Sequence, residues 1–142
     1  MLDRAIELAV IAHRGQFENE PYIFHPLRVM MRMDSETGRI VGVLHDVVER
    51  GGISLQKLYG QGFSEEIVGA LDALSRRKGE KYFDYILRAA SGRLSAAVKL
   101  ADLKDNIRKA RRYPDGQSEE KIKRYKKARK IIRKQRPLGG RL

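Results

Sequence analysis

The segment VGVLHDVVERGG, residues 41–52, decides the reading of this chain. Val41, Val43, Leu44, Val47 and Val48 follow the spacing of a helix entering a core. His45, Asp46 and Glu49 interrupt that apolar face, and Arg50 follows them. Charged side chains enter a core only when they pair or hold a metal. The segment therefore predicts a helix from Glu36 to Arg50, stopped by Gly51-Gly52, that carries polar chemistry inward.

The rest of the chain reads as helix on both sides of it. Leu2, Ala5, Ile6, Ala9 and Val10 predict an amphipathic first helix ending near Gly15. Residues 16–24, QFENEPYIF, read as a loop. His25-Pro26 opens a second helix with Pro26 at its first position. Ser54 and Ser64 are placed to cap two further helices. Tyr82, Tyr85, Ile86 and Ala89 mark another, and Ser91-Gly92 ends it. Residues 93–112 predict a long helix with Leu94, Val98, Ala101 and Ile107 at helical spacing. Pro114-Asp115-Gly116 turns the chain into a basic helix that starts at Ser118. No credible strand or repeat emerges, so the expected fold class is all-α, with a single domain over 1–134 and a frayed tail at 135–142.

Composition narrows the function classes. The 142 residues contain no cysteine, which excludes disulfides and thiolate metal sites. No apolar run suggests a membrane span, and the early Asp3 is unlike a signal peptide. A soluble cytoplasmic protein with no membrane partner is expected. The net charge of +12 is unevenly placed. Residues 1–103 hold 14 basic and 14 acidic residues, whereas residues 104–142 hold 16 basic and 4 acidic. The basic C-terminal segment is thus expected to attract polyanions weakly and without sequence preference, at Lys123, Lys126 and Lys130 among others. A solvated helix face is the competing explanation.

Three histidines are present: His13, His25 and His45. His13, near the end of the first helix, reads as structural. Adjacent His45 and Asp46 point about 100° apart on a helix, so they meet on one ion only if it lies between those directions. His25 and Asp102, the latter in the apolar phrase VKLADL, are the candidates to complete such a site from other helices. Two imidazoles and two carboxylates suit Mn²⁺, Fe²⁺ or Zn²⁺ better than Ca²⁺ or Cu⁺.

Four phrases carry a family resemblance: AHRGQ (12–16), PYIFHPLRV (21–29), VLHDVVE (43–49) and VKLADLKDN (98–106). In that order they resemble the HD-domain metal-dependent phosphohydrolases, and among them the hydrolase domain of the Rel/SpoT alarmone enzymes and their small single-domain relatives. The resemblance implies an all-helical fold with one divalent ion, Mn²⁺, held by His25, His45, Asp46 and Asp102. It implies Glu49 as the catalytic acid, and Asn106 and Lys99 as substrate-binding residues. The substrate it implies is a phosphorylated nucleotide, with removal of the 3′-pyrophosphate from (p)ppGpp. Two features depart from the family. Arg50 replaces the second acid of H-D-x-x-E-D, and the loop QFENE lacks the basic pair that packs on guanine. Arg50 is expected either to pair with Asp46 or Glu49, or to anchor a substrate phosphate, and the anchor is favoured. These departures also leave room for a degenerate, non-catalytic nucleotide-binding or regulatory module.

Overall fold

The structure is a computed structural model and describes residues 1–135. The expected tail therefore lies, from residue 136 onward, outside the described residues. Nine helices and no strand occur among the described residues: α1 (Leu2–Ala12), α2 (Phe24–Met31), α3 (Glu36–Leu44), α4 (Val47–Arg50), α5 (Leu55–Gly60), α6 (Glu65–Ala73), α7 (Tyr82–Ala90), α8 (Arg93–Arg112) and α9 (Ser118–Gln135). The helix starts follow their chemistry. Ser35, Ser54 and Ser64 each accept a backbone N–H from the first turn that follows, at 3.0, 3.1 and 3.3 Å.

Two apolar cores share α8 as their spine. The larger gathers Ala5 and Ala9 of α1, Val29 of α2, Ile40, Val41, Val43 and Leu44 of α3, Leu71 of α6, and Leu94, Val98 and Ala101 of α8. The smaller packs Ile86 of α7 and Leu103 of α8 against Ala128 and Ile132 of α9. The basic helix is thus docked by its apolar stripe, which lies against α7 and α8. Val10 leaves the inner face expected of it and is exposed.

Two boundaries differ from the sequence expectation, and both shape the site. The helix expected over 36–50 breaks after Leu44. Asp46 sits at φ −104°, ψ 0°, at the margin of the helical region, and α4 resumes at Val47. A continuous helix would have splayed His45 from Asp46, and the break lets both face one point. α2 begins at Phe24 rather than at Pro26. Proline is tolerated there because first-turn N–H groups have no intrahelical partner.

Gly42 sets the distance between α2 and α3. A Cβ on it would lie 3.1 Å from Met30 Cα and 3.2 Å from Met30 N. Those atoms are backbone and yield little. Gly42→Ala is therefore expected to lower stability by about 1–3 kcal/mol, read as a lower urea midpoint with unchanged m-value. An unchanged midpoint would show that α2 shifts freely.

The α6–α7 connection is tied by Glu80. Its carboxylate accepts from Arg88 Nε at 2.7 Å and Nη2 at 2.8 Å, and from the Arg77 backbone N–H at 3.0 Å. Chiefly through the Arg88 hydrogen bond, Glu80 is held down from 4.5 to about 2. A carboxylate with a depressed folded value contributes stability above its unfolded value, and loses that contribution as pH falls through the folded one. The stability gap between wild type and Glu80→Gln is expected to narrow as pH drops from 5 towards 2, in denaturation series at each pH. A constant gap would assign Glu80 no charge-dependent role.

Candidate metal centre and cleft

Four helical segments deliver the polar cluster. His25 comes from the first turn of α2, His45 and Asp46 from the α3–α4 break, and Asp102 from the middle of α8. His25, His45 and Asp102 are buried, and Asp46 nearly so. Their ligand atoms converge. His45 Nε2 lies 3.2 Å from His25 Nε2, 3.1 Å from Asp46 Oδ2 and 3.2 Å from Asp102 Oδ1. His25 Nε2 lies 2.8 Å from Asp102 Oδ1 and 3.7 Å from Asp46 Oδ2. One atom each of His25, His45 and Asp46 falls within a sphere of mutual distances under 4.8 Å. Asp102 touches both imidazoles of that group.

The far side of each ring settles what the near side offers. His45 Nδ1 is 2.6 Å from the Gly42 carbonyl, which only accepts, so Nδ1 carries the proton. His25 Nδ1 is 2.6 Å from Asp105 Oδ2, again an acceptor. Both Nε2 atoms of the neutral rings therefore present lone pairs to each other and to two carboxylates. Such a set is stable only with positive charge in its midst, either a proton or a cation. Without a cation the proton stays: burial disfavours the imidazolium of His45, but Asp46 and Asp102 outweigh it and raise its pKa well above the usual value. Asp102 is buried as well, yet Lys99 and His45 hold its carboxyl well below the usual range. Mixed imidazole and carboxylate donors, oriented through their outer nitrogens, fit a divalent transition metal.

A chain of partners that the sequence reading missed stands behind His25. Asp105, fully buried, accepts from Arg28 Nε at 2.7 Å and Nη2 at 3.0 Å, and Arg28 Nη1 reaches Glu20 Oε2 at 2.6 Å. The one local signal was spacing: Asp105 follows Asp102 by three residues on α8, and Arg28 follows His25 by three on α2. Tyr22 was missed likewise. Its hydroxyl donates to Asp46 Oδ2, and burial together with Asp46 pushes its pKa far up.

The remaining expected residues surround a cleft of about 290 Å³ over the cluster. Glu49 and Arg50, from α4, both line it. The Glu49 carboxylate accepts the Arg76 backbone N–H, and burial raises its pKa. Arg50 pairs with neither Asp46 nor Glu49. Its Nη1 lies 3.1 Å from Glu18 Oε2 and its guanidinium 4.2 Å from the Tyr22 ring centroid. Lys99 Nζ is buried and committed, 2.7 Å from Asp102 Oδ2 and 2.9 Å from the Tyr85 hydroxyl. Asn106 Nδ2 donates to Asp102 Oδ1 at 3.2 Å, which leaves its amide oxygen for a ligand. The α9 helix also reaches the cleft, through Lys121, Arg124 and Tyr125. Lys123, Lys126 and Lys130 are exposed. His13 stays out of the cluster, with Nδ1 3.0 Å from Gln16 Oε1; Gln16 Nε2 in turn donates to the Arg50 carbonyl at 2.8 Å, joining the end of α1 to α4.

No family model matches the chain, and no curated protein does. A solved structure does match, described as a metazoan ortholog of SpoT that hydrolyzes ppGpp and plays a role in starvation responses. The TM-score is 0.77 over 94% of this chain and 84% of that one, at 23% sequence identity. No helix among the described residues is long and apolar enough to cross a membrane. The likeness is one of architecture: the chain has the all-helical, single-domain fold of that SpoT ortholog.

Proposed function

We propose that the protein is a metal-dependent phosphohydrolase acting on a phosphorylated nucleotide, with (p)ppGpp and release of its 3′-pyrophosphate as the first substrate to test. The observation that carries this reading is the convergence of two Nε2 lone pairs and two carboxylates, with both outer nitrogens already committed. The four family phrases support it, as does the likeness to a structure described as a ppGpp hydrolase. His25, His45, Asp46 and Asp102 would hold one divalent ion, with Mn²⁺ the ion implied by the resemblance. When bound, that ion would neutralise phosphoryl charge and lower the pKa of water.

The chain's own residues do the rest. Lys99 keeps Asp102 ionised and pointed at the cluster. Tyr22 orients Asp46. Glu49, held by the Arg76 N–H, takes the proton of the attacking water. Asn106 and Arg50 line the cleft where the nucleotide would lie, and Arg50 meets a substrate phosphate by exchanging its Glu18 partner for it. The exposed pair it gives up costs under about 1 kcal/mol, so the exchange is feasible.

Arg50 also favours a second reading, a nucleotide-binding module without turnover, because an arginine cannot replace the second acid as a base. The two readings separate in one screen. Mn²⁺-loaded protein is offered alarmones and common nucleotides, and phosphate, pyrophosphate and bound nucleotide are measured. Pyrophosphate release from (p)ppGpp is expected. Tight nucleotide binding without any cleavage would select the module instead.

A further inference from the structure

We infer that the outward face of α9 is a docking surface for double-stranded nucleic acid, held through the phosphate backbone and separate from the cleft. Residues 121–135 hold nine cations and no acid. The fold sorts them by direction. Ala128, Ile131 and Ile132 pack with residues of α7 and α8, and Lys121, Arg124 and Tyr125 line the cleft. Lys123, Lys127, Lys130 and Lys134 remain on the side facing away from that packing, and all four are exposed. At about 100° and about 1.5 Å per residue, they fall within a sector of about 60° and form a row about 16 Å long.

A merely solvated face does not account for this row. Among the described residues no carboxylate pairs with any of the four lysines; the two acids of α9, Glu119 and Glu120, sit in its first turn. Lysines four residues apart, such as Lys123 and Lys127 or Lys130 and Lys134, repel each other on a helix surface. Only Lys134 of the four lies in the last turn, where the helix terminus favours a cation. Solubility of a small domain is served by a net charge of about 2–8, and this chain carries +12. A polyanion relieves the repulsion and gains by releasing its own counterions. Two features choose a duplex among polyanions. The row contains no aromatic ring, so it offers single-stranded bases no stacking platform. The apolar stripe of α9 is already spent on α7 and α8, so it is not free to enter a lipid surface. What remains is a line of point charges on a rigid helix, which grips backbone phosphates and reads no sequence. The surface stands independently of the phosphohydrolase reading.

Fluorescence anisotropy of the full chain with a short labelled duplex of arbitrary sequence, once as RNA and once as DNA, reads the surface directly. Affinity for both is expected to fall with salt at a log–log slope of about −3, near 0.9 per phosphate contact. The triple variant Lys123→Gln, Lys130→Gln, Lys134→Gln should bind roughly tenfold more weakly and with a flatter slope. Lys127 is left in place because its Nζ also rests 4.6 Å from the Phe83 ring centroid. A second triple variant, Arg14→Gln, Arg32→Gln, Lys57→Gln, removes the same charge from exposed positions elsewhere and should change affinity by less than about twofold. Arg50→Gln, in the cleft, should leave duplex binding unchanged. Equal losses in the two triple variants would reduce the effect to net charge and overturn the surface. A loss in Arg50→Gln as large as that of the row would put the duplex in the cleft and overturn the separation. Tighter binding of a single strand of equal length overturns the duplex assignment. So does row-dependent binding of phosphatidylserine vesicles without binding of either duplex, which would make the face a lipid contact.

Discussion

Glu49→Gln is expected to reduce Mn²⁺-dependent hydrolysis by 10²–10⁴-fold while leaving metal affinity unchanged. That range is what a positioned proton acceptor contributes. The substitution keeps the side-chain shape and its amide oxygen still accepts the Arg76 N–H, so the cleft wall stays in place. Glu49 is one turn beyond His45 yet bonds none of the four converging residues. The loss should therefore appear in kcat, with KM and the Mn²⁺ dissociation constant close to wild type. A variant that loses metal instead would move Glu49 into the ligand set. A variant that retains full turnover would pass the proton to another group.

Asp105→Asn should weaken Mn²⁺ binding by 10–100-fold, the usual cost of removing a carboxylate behind a ligating imidazole. The carboxylate has two duties. It accepts the His25 Nδ1 proton at 2.6 Å, and it balances the Arg28 guanidinium at 2.7 and 3.0 Å. Asparagine keeps one acceptor and loses the charge, so the ring turns more freely and Arg28 is left with Glu20 alone. Burial makes the loss matter, since Asp105 is fully enclosed and charged partners there are costly to unpair. The melting temperature in EDTA reports the fold separately from the metal. Wild-type affinity in a folded variant would make Asp105 a packing residue without influence on the site.

Much of the fold was legible because helices announce themselves locally. The Ser54 and Ser64 caps, the Gly51-Gly52 stop and the spacing of Leu94, Val98 and Ala101 are properties of neighbours in sequence. The break after Leu44 was not legible, because Val41 to Val48 keeps helical periodicity straight through it. The bend reflects tertiary demand: His45 bonds the Gly42 carbonyl and meets His25 of α2 and Asp102 of α8, while Asp46 approaches His25. The four convergent residues were named from phrases, but their meeting involves sequence separations of 20 to 77 residues. The Glu18 partner of Arg50 was illegible for a related reason. A pair between an exposed loop and a helix end has no periodic trace, and the acidic loop read only as the absence of a basic one. The basic run of α9 was visible, whereas the apolar stripe that seats it on α7 and α8 came only with the fold.

His25, His45, Asp46 and Asp102 are expected to share one divalent ion. The sharing is tested most directly by titrating metal-free protein with Mn²⁺ and recording pulsed electron paramagnetic resonance of the bound ion. One ion per chain, with hyperfine coupling to two imidazole nitrogens that falls to one in His45→Ala, is the predicted result. A bound ion without nitrogen coupling, or no binding at all by the folded protein, would contradict it.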